Sequence, residues 1–445
     1  MLLILSKIFK IDLRRQIHAL CSWQLGKLAK GTLVMTLGIG LRTIGQAAVF
    51  IIVARILGVE AYGAYTAVLA LAGTLGCFGG IGIQTVMLRD VSRDPSSFAS
   101  AWGHTLAVIC ISSPVLLGLY LLTTWTILPS GISWIVVTCV GLAEIVFSPL
   151  ALAGINAYQG HEYMGKAAWM VLAPILSKLA GAVALIAITK FLPQIPPLEL
   201  WAAVYILTSI LAAFYSIFRV NSDLGLPRWP DTKRIFIGLR EGLIFAFGGA
   251  ALKLYADIDK TMLARLANLE TAGLYSAAYR VMDMASIPIV AMLTTILPQF
   301  FRTGGQDDRT TPFIPWNLLP VPICYTLFVG LFFYFAAELL PILLGNSFDS
   351  AVPAVQWLAW LPLASLPRLF LQTKLIAGNL QRAVVVILSA GSLLNIMLNF
   401  LLIPSMNWHG AVIATYVAEI AMGLILFHLA NKYSRTLKMR VDLEI

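Results

Sequence analysis

Charge is scarce in this chain: Asp, Glu, Lys and Arg make up only 12% of its 445 residues, roughly half the share of about 25% usual in soluble domains. A water-facing surface needs ionic groups to cover its core, so most side chains here must face lipid or other buried helices. Cysteine is scarce too. Cys21, Cys77, Cys110, Cys139 and Cys324 are odd in number, sit in apolar stretches and form no C-x-x-C pair, which excludes a disulfide framework and a zinc site. His18, His104, His161, His409 and His428 lack any H-E-x-x-H spacing, so no metal is expected. Residues 1–10 are followed by no A-x-A-like cleavage site, and the N-terminus is expected to be retained. No segment combines dense Lys/Arg with a fold that could present them to a duplex. The net charge of +10 therefore reads as membrane topology, and no nucleic acid is expected as a partner.

What is abundant is hydrophobic length. Hydrophobic residues make up 59% of the chain and mean hydropathy is +0.85. Spans of about 20 apolar residues cross the hydrocarbon as helices, and they are predicted at 33–57, 63–86, 102–123, 132–152, 168–190, 199–219, 240–263, 272–298, 314–338, 353–376, 383–403 and 409–430. The expected fold is an all-α polytopic membrane protein of about 12 transmembrane helices. Of the Lys and Arg residues near helix ends, only Arg55, Lys190 and Arg265 fall opposite the termini, so both termini are expected in the cytoplasm. Residues 1–30 mix apolar side chains with Lys7, Lys10, Arg14, Arg15, Lys27 and Lys30, which suits an interfacial amphipathic helix or a simple topogenic flank.

The chain also repeats itself. Arg55, Glu60, Gly63, Tyr65 and Ala67 recur, each 210 residues later, as Arg265, Glu270, Gly273, Tyr275 and Ala277. Each set joins the first helix of a six-helix half to its second, and six is even, so the halves run in the same sense about an axis along the membrane normal. The expected organisation is a six-helix lobe over 31–220, a linker at 221–234, a second lobe over 235–431 related to the first by pseudo-two-fold symmetry, and a cytoplasmic tail at 432–445. Paired lobes with a cleft between them are transporter architecture.

The segments 54–65 (ARILGVEAYGAY), 257–283 (DIDKTMLARLANLETAGLYSAAYRVMD), 343–352 (LLGNSFDSAV) and 394–415 (LNIMLNFLLIPSMNWHGAVIAT) carry a resemblance covering nearly the whole chain from residue 30. In them the protein resembles the multidrug/oligosaccharidyl-lipid/polysaccharide exporter superfamily, and most closely its polysaccharide-export branch, the O-antigen type oligosaccharide flippases. The lipid II flippase branch looks like fourteen helices, and this chain ends after twelve. The resemblance implies movement of a lipid-linked oligosaccharide, typically on undecaprenyl diphosphate, from the inner to the outer leaflet of a bacterial cytoplasmic membrane.

Ionisable residues inside membrane helices cost about 2.5–3.5 kcal/mol each by insertion scales and normally face the bundle interior. Here Arg42, Lys178, Lys253, Arg280 and Arg368 outnumber the midspan acids Glu144, Asp257, Asp283 and Glu419. A diphosphate crossing a low-dielectric region needs such donors, and these five are the candidate substrate-binding residues. Internal pairing competes with that reading. Lys253 and Asp283, and likewise Asp257 and Arg280, share a depth on antiparallel helices 7 and 8; Lys253–Asp257 and Arg280–Asp283 also sit at i,i+4 and i,i+3. These four could form ion pairs or a gate. For Arg42, Lys178 and Arg368 the competing readings are a salt bridge to Glu144 or Glu419, or snorkelling to an interface. Ser392, Asn395 and Asn399 are expected to tie helices together, Gly73, Gly76 and Gly80 to allow close helix packing, and Pro149, Pro174, Pro288, Pro362 and Pro367 to kink their helices.

The reading that results is a flippase working by alternating access, with no covalent chemistry and no cofactor; a coupling ion, H+ or Na+, is left open. Its partners would be the lipid-linked oligosaccharide, membrane lipids, and a polysaccharide polymerase and glycosyltransferases. A cation-coupled multidrug exporter of the same fold is the alternative. A membrane glycosyltransferase using Asp257 and Asp259 is the third reading. Against it, no link is long enough for a catalytic platform, and carboxylates at i,i+2 on a helix diverge by roughly 200°.

Overall fold

The computed structural model describes residues 27–229, 232–303, 320–377 and 380–443; the expected basic segment falls outside them up to residue 26. Every described element is helical. The stretch Lys27–Gly76 is interrupted at Gly58, whose φ of 73° and ψ of 173° suit a residue without a Cβ, giving α1 (27–57) and α2 (59–93). The others are α3 (Phe98–Ile127), α4 (Trp134–Gly160), α5 (Met164–Phe191), α6 (Pro197–Leu224), α7 (Thr232–Leu266), α8 (Leu269–Thr303), α9 (Pro320–Leu344), α10 (352–377), α11 (Gln381–Met406) and α12 (Trp408–Leu443). Each corresponds to one predicted span. Eight stretches are long and apolar enough to cross a bilayer, the first of them covering α1 and much of α2.

Helix α2 departs from its prediction as an unbroken helix. Gly80, Ile81 and Gly82 all take positive φ (71°, 49° and 73°), so Gly80 serves a turn rather than a packing stripe. The reason lies across the bundle: a Cβ on Gly82 would stand 2.2 Å from the carbonyl oxygen of Gly242 in α7, and one on Gly242 would stand 2.3 Å from that of Ile81. Backbone meets backbone there. Arg89 closes the same end of the molecule with an ion pair to Glu241 at 2.6 Å, and the Arg228 backbone N–H donates to the Ala99 carbonyl at 2.8 Å, strapping the segment before α7 onto α3.

Helix α1 lies on α5 through Gly31, Gly38 and Gly45, which face Met164, Ala168 and Ile175 in turn; small residues at heptad spacing let the backbones approach. At the end opposite the chain termini, the α1–α2 and α7–α8 turns meet each other. A Cβ on Gly63 would lie 1.8 Å from the Leu269 carbonyl oxygen, and one on Gly273 would lie 1.9 Å from that of Val59. The contact is reciprocal. Around it gather Ala54, Ala67, Leu263, Tyr275 and Ala277, all buried. The 3-10 turn Asn346–Ala351 inserts Phe348 against Tyr62, with ring centroids 6.1 Å apart.

Candidate functional site

A charged cavity of about 30 Å³ lies beneath this reciprocal contact, between α2, α7 and α8, lined by Tyr62, Thr66, Lys253, Asp257, Lys260, Ser276, Arg280 and Asp283 among others. Its charges are largely bonded within α7. Lys253 Nζ reaches Asp257 at 2.6 Å, and Lys260 Nζ reaches Asp257 at 2.9 Å and Asp259 at 3.5 Å. Lys260 also donates to the Ala256 carbonyl at 2.7 Å and sits 4.3 Å from the Tyr279 ring centroid. Asp259 accepts the Tyr275 hydroxyl at 2.6 Å. The expected cross-helix pairs, Lys253 with Asp283 and Asp257 with Arg280, do not form. A shared depth sets level but not azimuth, and α7 turns Lys253 towards α2, where its Cε stands 2.9 Å from the place a Cβ would take on Gly73. Arg280 lies beside Tyr62. Among the described residues it has no carboxylate in ion-pair reach, and Asp283, exposed on the same helix, makes no ion pair either.

In the first half, Glu144 sits on a π-helical turn, Ala143–Phe147, inside α4; such turns widen the helix and re-aim side chains. A Cβ on Gly76 would stand 2.6 Å from the Glu144 carbonyl oxygen, so α2 can approach this wide turn only through a glycine. Glu144 accepts the Tyr205 hydroxyl at 2.5 Å, and Lys178 Nζ lies 3.9 Å from the Tyr205 ring centroid. A tyrosine thus stands between Lys178 and Glu144, the carboxylate of the competing salt-bridge reading, and Lys178 makes a cation–π contact there. Arg42 is exposed on α1, near enough to Lys178 for their charges to interact, with no ion pair among the described residues.

The second half builds a parallel group. Arg368 Nε donates to Glu419 at 2.5 Å and its Nη1 to Gln372 at 3.0 Å, while Tyr255 donates to the other Glu419 oxygen at 2.7 Å. The Arg368 and Glu419 side chains are only 12% and 5% exposed, so breaking the pair would strand a buried charge. Arg368 thus makes the salt bridge to Glu419 that was its competing reading.

Lys260, Tyr62 and Tyr205 were not among the residues expected from sequence to form the site. Lys260 was legible: it stands three residues after Asp257 and seven after Lys253, on one helical face. Asp257 faces Lys253 and Asp259 faces Tyr275, and the long Lys260 stem reaches both carboxylates. On α11, Ser392, Asn395 and Asn399 are buried, but their bonds stay within the helix: Asn399 Nδ2 donates to Asn395 Oδ1 at 2.9 Å, and Ser392 to the Leu388 carbonyl. The Asn399 Oδ1 is left without a partner. They do not tie helices together as expected. Among the described residues no three His, Cys, Asp or Glu side chains converge as a metal site.

Two sequence-related turns closing over intramembrane charge in a helical membrane bundle are transporter architecture. The chain belongs to the family of polysaccharide biosynthesis proteins, whose pattern it matches over residues 28–304, within the multidrug/oligosaccharidyl-lipid/polysaccharide exporter superfamily. Its fold is similar to that of a multidrug resistance MATE family transporter in an inward-facing conformation, with TM-score 0.70 and 13% identity over 89% of this chain and 96% of that one. The lipid II flippase MurJ in its inward closed conformation gives TM-score 0.70 and 13% identity over 90% of this chain and 87% of that one. A transporter of the superfamily from Pyrococcus furiosus, described as having a binding pocket of reversed polarity, gives 0.62 and 14% over 93% and 96%. No curated protein matches the chain.

Proposed function

We propose that this protein is a flippase that carries a lipid-linked oligosaccharide, on an undecaprenyl diphosphate carrier, from the inner to the outer leaflet of the cytoplasmic membrane by alternating access. The observation that carries this reading is Arg280, a guanidinium lining the charged cavity with no carboxylate in ion-pair reach. Arg42 and Lys178 add two more cations without an ion pair. The corresponding acids are fewer: Asp283 is unpaired, and Glu144 is held by Tyr205. Such an excess compensates a diphosphate while it is out of water, and a guanidinium can grip it through two hydrogen bonds. Membership in the polysaccharide biosynthesis family supports a glycan cargo, and the similarity to a lipid II flippase supports a lipid-linked one. The glycan would serve O-antigen, lipopolysaccharide or exopolysaccharide assembly, handed on by glycosyltransferases and received by a polymerase. In this reading Arg42, Lys178 and Arg280 bind the head group, while Lys253, Asp257 and Lys260 hold the shape of the cavity.

The test is surface glycan display, with inner-leaflet accumulation of the lipid-linked intermediate, in cells whose only flippase is the variant. Arg280→Ala, Arg42→Ala and Lys178→Ala are expected to lose display at normal protein levels, Arg280→Lys to keep part of it, and Asp283→Asn to keep most. An exporter of organic cations inverts the order, since cavity cations repel its cargo and Asp283 would attract it. Normal display in a complete deletion would overturn the function.

A further inference from the structure

Helix α2 is broken where its counterpart in the other half is not. The residues 210 positions after Gly79, Gly80 and Gly82 are Ile289, Val290 and Met292, and α8 runs through them as one α-helix. The break is therefore no demand of the repeated architecture, and it is costly. Ile81 takes φ 49° and ψ 38°, a left-handed backbone that a β-branched residue adopts only where its surroundings impose it. The Gly80 N–H donates to the Ser112 hydroxyl at 3.0 Å in place of a helical carbonyl. The Gly79 carbonyl accepts from Gln84 Nε2 at 3.1 Å, and Gln84 Oε1 is left buried without a partner, which is unfavourable in itself. What imposes the break is α7, the first helix of the second half. A Cβ on Gly242 would run into the Ile81 carbonyl oxygen, and one on Gly82 into that of Gly242. The rings of Phe78 and Phe247 meet edge to face at 5.2 Å on one side of this contact, and Arg89 meets Glu241 on the other.

We propose that the α2 break is a spring-loaded latch: Ile81 stays left-handed while the α7 backbone presses on it, and α2 straightens into one continuous helix when the two halves part at the end that carries the chain termini. The inference rests on the alternating access of the proposed function and adds to it the element that opens this end. In the straight form the Gly80 N–H returns to the Gly76 carbonyl and the Ile83 N–H to that of Gly79. Ser112 and Gln84 are then released, and the strain at Ile81 is relieved. The energy held in the break thus favours parting, and the packing on α7 offsets it while this end is closed. Straightening also turns residues 83–93 about the helix axis relative to the rest of α2, carrying Arg89 away from Glu241, so that the strained turn and the ion pair switch together.

The experiment measures distances between paired spin labels, by pulsed dipolar spectroscopy, on the purified full-length protein with its native cysteines replaced by alanine. One pair, at the exposed Glu60 and Ser92, spans α2; the other, at the exposed Gly165 and Gln381, spans the two halves at the terminus-bearing end. A continuous helix sets the first pair about 48 Å apart, at about 1.5 Å per residue, and a chain redirected at residues 80–82 falls short of that. Gly242→Ala, although it lies on a different helix, is expected to raise the straight fraction of α2 by about fivefold or more and to widen the second pair with it. Ile81→Gly should lower the straight fraction by a similar factor relative to Ile81→Ala, since both lose the side chain and only glycine lifts the left-handed cost. The latch is overturned if Gly242→Ala widens the Gly165–Gln381 pair while α2 keeps its broken length, or if Ile81→Gly and Ile81→Ala give equal fractions in monodisperse protein. A Gly165–Gln381 distance fixed in every variant would overturn alternating access at this end and the latch with it. Straightening as expected in a protein whose deletion leaves glycan display normal would overturn the cargo and leave the latch standing.

Discussion

The hydroxyls of Thr66 and Ser276 are hydrogen-bonded to each other at 2.9 Å, across an interval of 210 residues, the same interval that separates the repeated residues of the two halves. Three residues earlier, Gly63 and Gly273 meet under the same relation. Equivalent positions that touch one another must lie on the axis relating them, so the axis passes between α2 and α8 and the charged cavity hangs directly beneath it. Under the alternating access proposed above, this contact is the closure that would part when the far side opens.

Gly63→Ala and Gly273→Ala are expected to weaken that closure equivalently. Each added methyl falls on a backbone carbonyl, which cannot rotate away as a side chain can, so each should cost about 1–3 kcal/mol or more of stability in the closed state. Thermal unfolding in detergent, together with labelling of a cysteine placed at Thr66, would measure it; unchanged melting and unchanged labelling in both variants would show that the turns already separate freely.

Arg368 and Glu419 form a buried pair, and removing one partner leaves the other charge unmatched, at a cost of about 3–5 kcal/mol. Arg368→Met and Glu419→Leu should each lower stability strongly, whereas the double variant should recover much of the loss. Full stability in Arg368→Met would release this arginine to the substrate site.

Arg89 and Glu241 are partly exposed, at 37% and 42%, and a pair of this kind contributes about 0.2–1 kcal/mol. Glu241→Gln is expected to raise the labelling rate of a cysteine at Ala246 by up to about fivefold, and 1 M salt should raise it in the wild type by a similar factor. Equal rates with and without the pair would mean that the Gly82–Gly242 packing alone holds this end closed.

Asp223, at the end of α6, accepts the Tyr158 hydroxyl at 2.7 Å and Lys166 Nζ at 3.0 Å. The Tyr158 hydrogen bond first, then Lys166 and Arg219, holds its carboxyl below the usual range. A depressed carboxylate stabilises the fold above its unfolded value of about 3.9 and loses that contribution as pH falls through the lower folded value. The melting difference between wild type and Asp223→Asn should therefore be constant from neutral pH to about pH 5 and shrink below pH 4. A gap that instead opens on acidification would reverse the assignment.

Much of this was legible along the chain, because a bilayer imposes simple rules. Each helix must be long and apolar, every intramembrane charge is conspicuous, and a repeat of Arg55 to Ala67 at Arg265 to Ala277 survives as plain identity. The break in α2 was less legible. The glycines at 79, 80 and 82 announce freedom of φ, but Ile81 also takes a positive φ, 49°, which depends on the Gly242 backbone arriving opposite. Arg368 and Glu419 were both visible as midspan charges and as candidate partners, and the packing of α10 on α12 brings them into an ion pair.

By itself the sequence determined an all-α membrane transporter of twelve helices in two related sets of six, because helix length, hydropathy and repetition are properties of contiguous residues. Tertiary structure alone decided which charges are spent on one another and which stay available. The Lys253–Asp257 pair was already legible as i,i+4 on one helix, whereas Lys178 met the Tyr205 ring in place of Glu144 and Arg280 was left facing the cavity. Those outcomes depend on the rotation of each helix about its own axis, which is set by the glycines and rings its neighbours present, and no single helix carries that information in its own residues.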